Sequence, residues 1–268
     1  MTPEVRRRLD AYRDERAQEL IDLAYCIEQF GFTTDAGPLR NAANQCRSAI
    51  RVAQQGAPDA GCEYWGYEIT DLRIQLEPQR HCRPRAATMD SVSGTLTVQV
   101  EEYVPMSVEE VGASFNLLRR LDTDFMFDAR LLIDNRHSHV VRSAWHLDTH
   151  LYTDTSSHSV HPRFHFQVGG ERLDDLDHLI RGVFLPETPR VPCAPLDGIL
   201  AVDFVLSHYR GSDWATLCDL DAGYKFRRKL QMQRFWQPYY QAISIGIAAL
   251  DDDPAGGAAN VLVPNIFV

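Results

Sequence analysis

Hydrophobic positions along the chain change their period twice. Over residues 3–29 the apolar residues Leu9, Tyr12, Leu20, Leu23 and Ile27 recur at helical spacing. Thr2 is a suitable N-cap and Pro3 suits the first helical position. The segment FGFTTDAG interrupts this helix, and PLRNAANQCRSAIRVAQQ resumes the helical pattern as far as Gly56. The pattern predicts a helical hairpin over residues 1–56, followed by the linker-like GAPDAG.

The middle of the chain alternates instead. Leu72, Ile74 and Leu76 are interleaved with Arg73, Gln75 and Glu77. Val92, Leu96, Val98 and Val100 stand among Ser93, Thr95, Thr97 and Gln99. Period two with one dry and one wet face predicts half-buried strands, joined here by QRHCRPR as an exposed basic loop. SVEE at 107–110 has capping-box spacing, and ASFNLLRRLD fits a short helix or a strand. FDARLLID, HVVRSAWHLDTHLY and HPRFHFQV read as three more strands of an antiparallel meander.

After Gly169-Gly170 the helical period returns. ERLDDLDHLI reads as a short helix, LPETPRVPCAP as an extended connector, and DGILAVDFVLSHY as a buried helix. Residues 221–237 form a further helix, with Phe226 and Leu230 on its apolar side and Arg227, Arg228, Lys229 and Arg234 mostly outside. Pro238 kinks or restarts it. The predicted architecture is α+β, an antiparallel β-meander flanked by an N-terminal helical hairpin and C-terminal helices. Residues 1–56 are the hairpin packed on the main domain. Residues 62–250 are the α+β domain, with sheet over about 64–168 and helices over about 172–248. Residues 251–268 are a flexible linker and an apolar tail, NVLVPNIFV, suited to docking on a protein partner or a second copy.

Composition narrows the classes. A net charge of −10 over 268 residues argues against broad binding to nucleic acid or anionic membrane, while leaving room for a local basic site. The N-terminus carries no signal-peptide core, and the longest apolar run, ISIGIAAL, is far short of a membrane span. No pair of the six cysteines has C-x-x-C spacing, which argues against a zinc ribbon, and without an export signal reduced thiols in a cytoplasmic protein are expected. Lys225 and Lys229 are the only lysines against 25 arginines, as the codon bias of a GC-rich bacterial genome would give.

The chemistry concentrates in one place. Seven of the ten histidines lie between His137 and His165. On a strand, Arg142, His146, Asp148 and His150 share one face, opposite Val141, Trp145, Leu147 and Leu151. On the next, His161, Arg163, His165 and Gln167 oppose Phe164, Phe166 and Val168. A hairpin pairing His150 with His161 would set Asp148 against Arg163 and His146 against His165. A slip of one residue would bury polar groups, whereas a slip of two would not. Residues two apart on a strand are separated by roughly 6.7 Å and those four apart by roughly 13 Å, so His146 and His150 cannot share an ion on a straight strand.

Two site chemistries follow. The leading one is a metal-independent hydrolase or nuclease acting on a phosphodiester or nucleotide, without cofactor. His146, His150, His161 and His165 would then supply acid and base, Arg142, Arg163 and Gln167 would bind substrate, and Asp148 would orient an imidazole. The alternative is a zinc or iron enzyme, with Asp148 and two of His150, His161, His165 or His146 as ligands. A third reading is a non-catalytic scaffold subunit with a structural histidine cluster. His146-Leu147-Asp148 resembles the start of the facial triad of the iron- and oxoglutarate-dependent oxygenases. For those enzymes His208 fits the distal-histidine distance better than His165 but falls on a helix. Asp148 followed by His161 and His165 is similar to the arrangement in TumE-type bacterial toxins, a resemblance that implies a nucleic-acid or nucleotide substrate. Asp203, inside an apolar helix, reads as a buried carboxylate with a basic partner.

Overall fold

The computed structural model describes residues 1–57, 59–77, 89–132, 138–149, 164–169 and 191–252. Its seven described strands form one antiparallel sheet in chain order: β1 (Arg51–Val52), β2 (Glu63–Gln75), β3 (Met89–Tyr103), β4 (Leu118–Leu132), β5 (Ser138–Thr149), β6 (Phe164–Val168) and β7 (Val191–Pro192). Every strand pairs with its neighbours in sequence, so the sheet is the expected meander within an α+β fold.

Alternation gives the sheet two unlike faces. Leu72, Leu96, Val98, Leu121, Phe125, Trp145, Leu147 and Phe164 are buried on one. Helices cover that face: α1 (Pro3–Gln29), α2 (Gly37–Cys46) and α4 (Gly198–Tyr209). Tyr12 of α1 meets the edge of the Trp65 ring at 5.8 Å, and Phe204 of α4 meets Trp145 at 5.2 Å. Helix α4 approaches β2 closely at Gly198, where an added Cβ would lie 2.6 Å from the Ile69 side chain. The other face carries Gln99, Asp122, Asp124, Asp128, His146 and Asp148, all half-buried, and is the polar one.

Helix α1 forms as its caps and stripe predict. The Thr2 hydroxyl accepts from Val5 N at 3.3 Å, and Leu9, Leu20, Leu23 and Ile27 are fully buried. Helix α2 ends at Cys46 and does not run on to Gly56. The Arg13 guanidinium accounts for the early stop. It donates to the carbonyl of Cys46 at 2.8 Å and to that of Ser48, satisfying groups that a longer helix would have used. Ile50 and Val52 then favour extended chain, and Arg51 and Val52 pair with Tyr64 and Glu63 as β1.

The short ASFNLLRRLD segment divides into a single turn, α3 (Ser114–Leu117), and the start of β4. Glu110 accepts from the amides of Met106 at 2.6 Å and Ser107 at 3.3 Å, a capping arrangement on a turn rather than on a helix. The C-terminal part holds α5 (Gly211–Leu220), which the hydrophobic pattern did not disclose, α6 (Ala222–Gln231), a π turn (Met232–Trp236) and α7 (Gln237–Asp252). The π turn sits immediately before Pro238, which lacks the N–H needed to continue a regular ladder.

Helix α6 turns the opposite way from expectation. Phe226 is 66% exposed, whereas Tyr224 and Gln231 are buried. Arg227 pairs with Asp22 at 3.4 Å, Arg228 with Asp203 at 2.9 Å, and Arg234 with Glu19 at 2.8 Å. The elements packed against α6 and the π turn present carboxylates, so arginines face inward there. Asp203 also accepts from Trp214 Nε1 at 2.8 Å and the Tyr224 hydroxyl at 2.9 Å, the structural role expected of it. Five cysteines, at 26, 46, 62, 193 and 218, are free thiols among the described residues. No described helix is long and apolar enough to cross a membrane. The basic loop QRHCRPR, the helix ERLDDLDHLI and the apolar tail lie outside the described residues.

Candidate metal centre on strands β5 and β6

Strand alternation places the site. On β5, Trp145 and Leu147 enter the core while His146 and Asp148 take the polar face. On β6, Phe164 is buried in the core and His165 and Gln167 share the face of His146 and Asp148, both of them buried. The register pairs Asp148 with His165 and His146 with Gln167. It is displaced by two residues from the expected pairing of His146 with His165. Such a displacement leaves every side chain on its own face, so the sequence pattern is blind to it. Core packing outside the pair distinguishes the two: Phe164 meets Phe115 at 5.8 Å and Tyr239 at 5.9 Å, positions a two-residue slip would carry it away from.

The result is a three-residue convergence. His146, Asp148 and His165 each offer a ligand atom, and these atoms all lie within 4.8 Å of one another. His146 Nε2 is 3.2 Å from Asp148 Oδ2, and the two imidazole rings stand 6.2 Å apart at 83°. An ion with ligands at about 2.1 Å in a tetrahedral array holds its donor atoms roughly 3.4 Å apart, within reach of small side-chain rotations here. Two imidazoles and one carboxylate are the donor set that zinc and ferrous iron accept.

Electrostatics favours a cation. Burial pushes the Asp148 carboxyl up to about 6, and the nearby Asp122 and Asp124 carboxylates add to the rise against the pull of His146 and Arg120. Asp124 is the cross-strand partner of His146, and Asp122 Oδ1 accepts from the amide of Thr149 at 3.3 Å. The two β4 carboxylates were missed in the sequence. Their signal was the alternation of Leu121, Thr123 and Phe125 with Asp122 and Asp124, which extends the strand pattern ahead of FDARLLID.

The other expected site residues separate into groups. Gln167 lies on the same face, buried opposite His146. Arg142 sits four residues before His146 on β5, roughly 13 Å along the strand. It is held by its cross-strand partner Asp128 at 2.7 Å, so it does not join the group as a substrate ligand. His150, His161 and Arg163 lie outside the described residues. His208 is on α4, its ring tilted at 32° against that of Phe204 at 4.1 Å, on the apolar side of the sheet. It is therefore no third ligand in an oxygenase-like triad.

No protein-family model, curated protein or solved structure matches this chain.

Proposed function

We propose that the chain is a metal-dependent enzyme in which His146, Asp148 and His165 hold one divalent transition ion, zinc or ferrous iron. The observation that carries this reading is the convergence of three donor atoms from two adjacent strands within 4.8 Å. Three protein ligands leave coordination positions for water and substrate, and a bound ion there would supply an activated water or a Lewis acid. Asp148 brings the negative charge, and the two imidazoles fix the geometry.

The metal-free phosphodiester reading needs a cationic face. Among the described residues, Asp122, Asp124 and Asp128 share the face of Asp148. Arg120 and Arg142 are each paired with one of these aspartates. This charge pattern supports the metal reading over the anion reading.

The test is the elemental content of the purified, chelator-free protein, with Asp148→Ala and His165→Ala as controls. Near-stoichiometric zinc or iron in the parent, lost from both folded variants, is the expected result. A folded parent that contains no metal and takes up none on addition of zinc or ferrous iron would remove the reading. Imidazole acid–base chemistry, or a purely structural cluster, would then stand in its place.

A further inference from the structure

On the side of the sheet away from the candidate metal centre, a second set of ionisable groups is buried with no assigned role. Glu102 of β3 is 2% exposed, and its cross-strand partner is Trp65 of β2. Side chains from several elements surround its carboxyl. Tyr12 and Arg16 come from α1, Cys46 from α2, Ser114 from α3, Arg234 from the π turn and Asp197 from the start of α4. Tyr12 and Ser114 share a hydroxyl–hydroxyl hydrogen bond. Glu102 Oε1 and Trp65 Nε1 are both buried without a hydrogen-bond partner.

The terminal nitrogens of the nearby arginines are already committed, while Arg16 Nε has no hydrogen-bond partner among the described residues. Arg16 donates to Asp197 at 2.6 Å, to Glu19 at 2.7 Å and to Gln231. Arg234 donates to Glu19 at 2.8 Å and reaches Glu15 at 2.7 Å. Arg16 and Arg234 therefore meet Glu19 and Asp197, Arg234 also meets the exposed Glu15, and the buried Arg13, over the Trp65 ring, serves Asp10 and two backbone carbonyls, so among the described residues no cation is left over for Glu102. An ionised Glu102 would be a surplus charge in a dry space, with one oxygen unsolvated.

We propose that Glu102 is a proton-held latch: as a neutral carboxylic acid it lets α1 seat on the β2–β3 face, and loss of its proton loosens α1. The direction of its titration agrees. Burial pushes the carboxyl up to about 7, against the pull of Arg16, Ser114 and Arg234. The folded chain binds this proton more tightly than the unfolded chain, so the contribution is full below about 4.5 and is lost as pH rises through about 7. The seating of α1 is thereby coupled to neutral pH.

The experiment is amide hydrogen exchange of the full chain between about pH 5.5 and about pH 8.5, corrected for the intrinsic rate, comparing the parent with Glu102→Gln. Protection of α1 amides in the parent should fall by about tenfold or more relative to β3 and β4 as pH rises, and should stay level in the variant. Identical pH dependence in the two proteins would overturn the proposal. Should Glu102→Gln fail to fold, difference infrared spectroscopy of the parent decides. A carboxylic-acid carbonyl band lost between about pH 5.5 and about pH 8.5, together with the fall in α1 protection, upholds the latch, and absence of either overturns it.

Discussion

Asp148 and His165 face each other across β5 and β6, and His146 approaches the same carboxylate from its own strand, 3.2 Å away. An antiparallel pair brings directly opposed side chains together, and alternation brings the residue two positions along to the same face. One carboxylate is thus flanked by two imidazoles through strand pairing and alternation.

Ion binding at this group should compete with protons. Burial pushes the Asp148 carboxyl up to about 6, so zinc affinity should rise as pH increases through that value. Isothermal titration calorimetry at several pH values on the chelator-treated protein would check it. A pH-independent affinity would mean that Asp148 is not a ligand.

The metal-free chain should show the opposite trend in stability. Folded Asp148 holds its proton more tightly than the unfolded chain does. Its contribution is therefore full below about 4 and is lost as pH rises through about 6. Asp148→Asn should then be more stable than the parent above that pH in chelator and should lose its advantage when zinc is added. Urea denaturation midpoints in the two conditions give the answer.

Arg16→Met should destabilise the fold strongly. The guanidinium is 1% exposed and serves Glu19, Asp197 and Gln231, so its removal leaves buried Asp197 without its cation and Glu19 with Arg234 alone. Losses of about 3–5 kcal/mol accompany such broken buried pairs. Chemical denaturation should register this, and a loss below about 1 kcal/mol would mean that neighbouring arginines take over.

Gly66→Ala should disrupt β2–β3 pairing. An added Cβ there would lie 2.1 Å from the carbonyl oxygen of Val100 and 2.9 Å from Glu101 Cα, both backbone atoms that cannot step aside. A cost of about 2–3 kcal/mol is expected, read as a lowered thermal midpoint. Little change would require a backbone shift visible in the amide spectra of β2 and β3.

The sequence by itself determined the long first helix, the meander and the buried helix α4, because each rests on local signals. Thr2 and Pro3 start α1, and the alternation at 92–100 and 145–148 marks strands with one wet face. It also determined that His146, Asp148 and His165 would share the polar face, since that follows from alternation alone. The tertiary structure decided which of them meet. A two-residue slip keeps every face intact, so only packing beyond the pair, that of Phe164 on Phe115 and Tyr239, selects the pairing of Asp148 with His165. The early end of α2 and the inward arginines of α6 were decided in the same way. Arg13 meets carbonyls 33 and 35 residues away, and Arg234 meets Glu19 across 215. A hydrophobic period registers what a residue prefers beside its neighbours in sequence, whereas a charge that is buried because a distant opposite charge awaits it leaves no local mark.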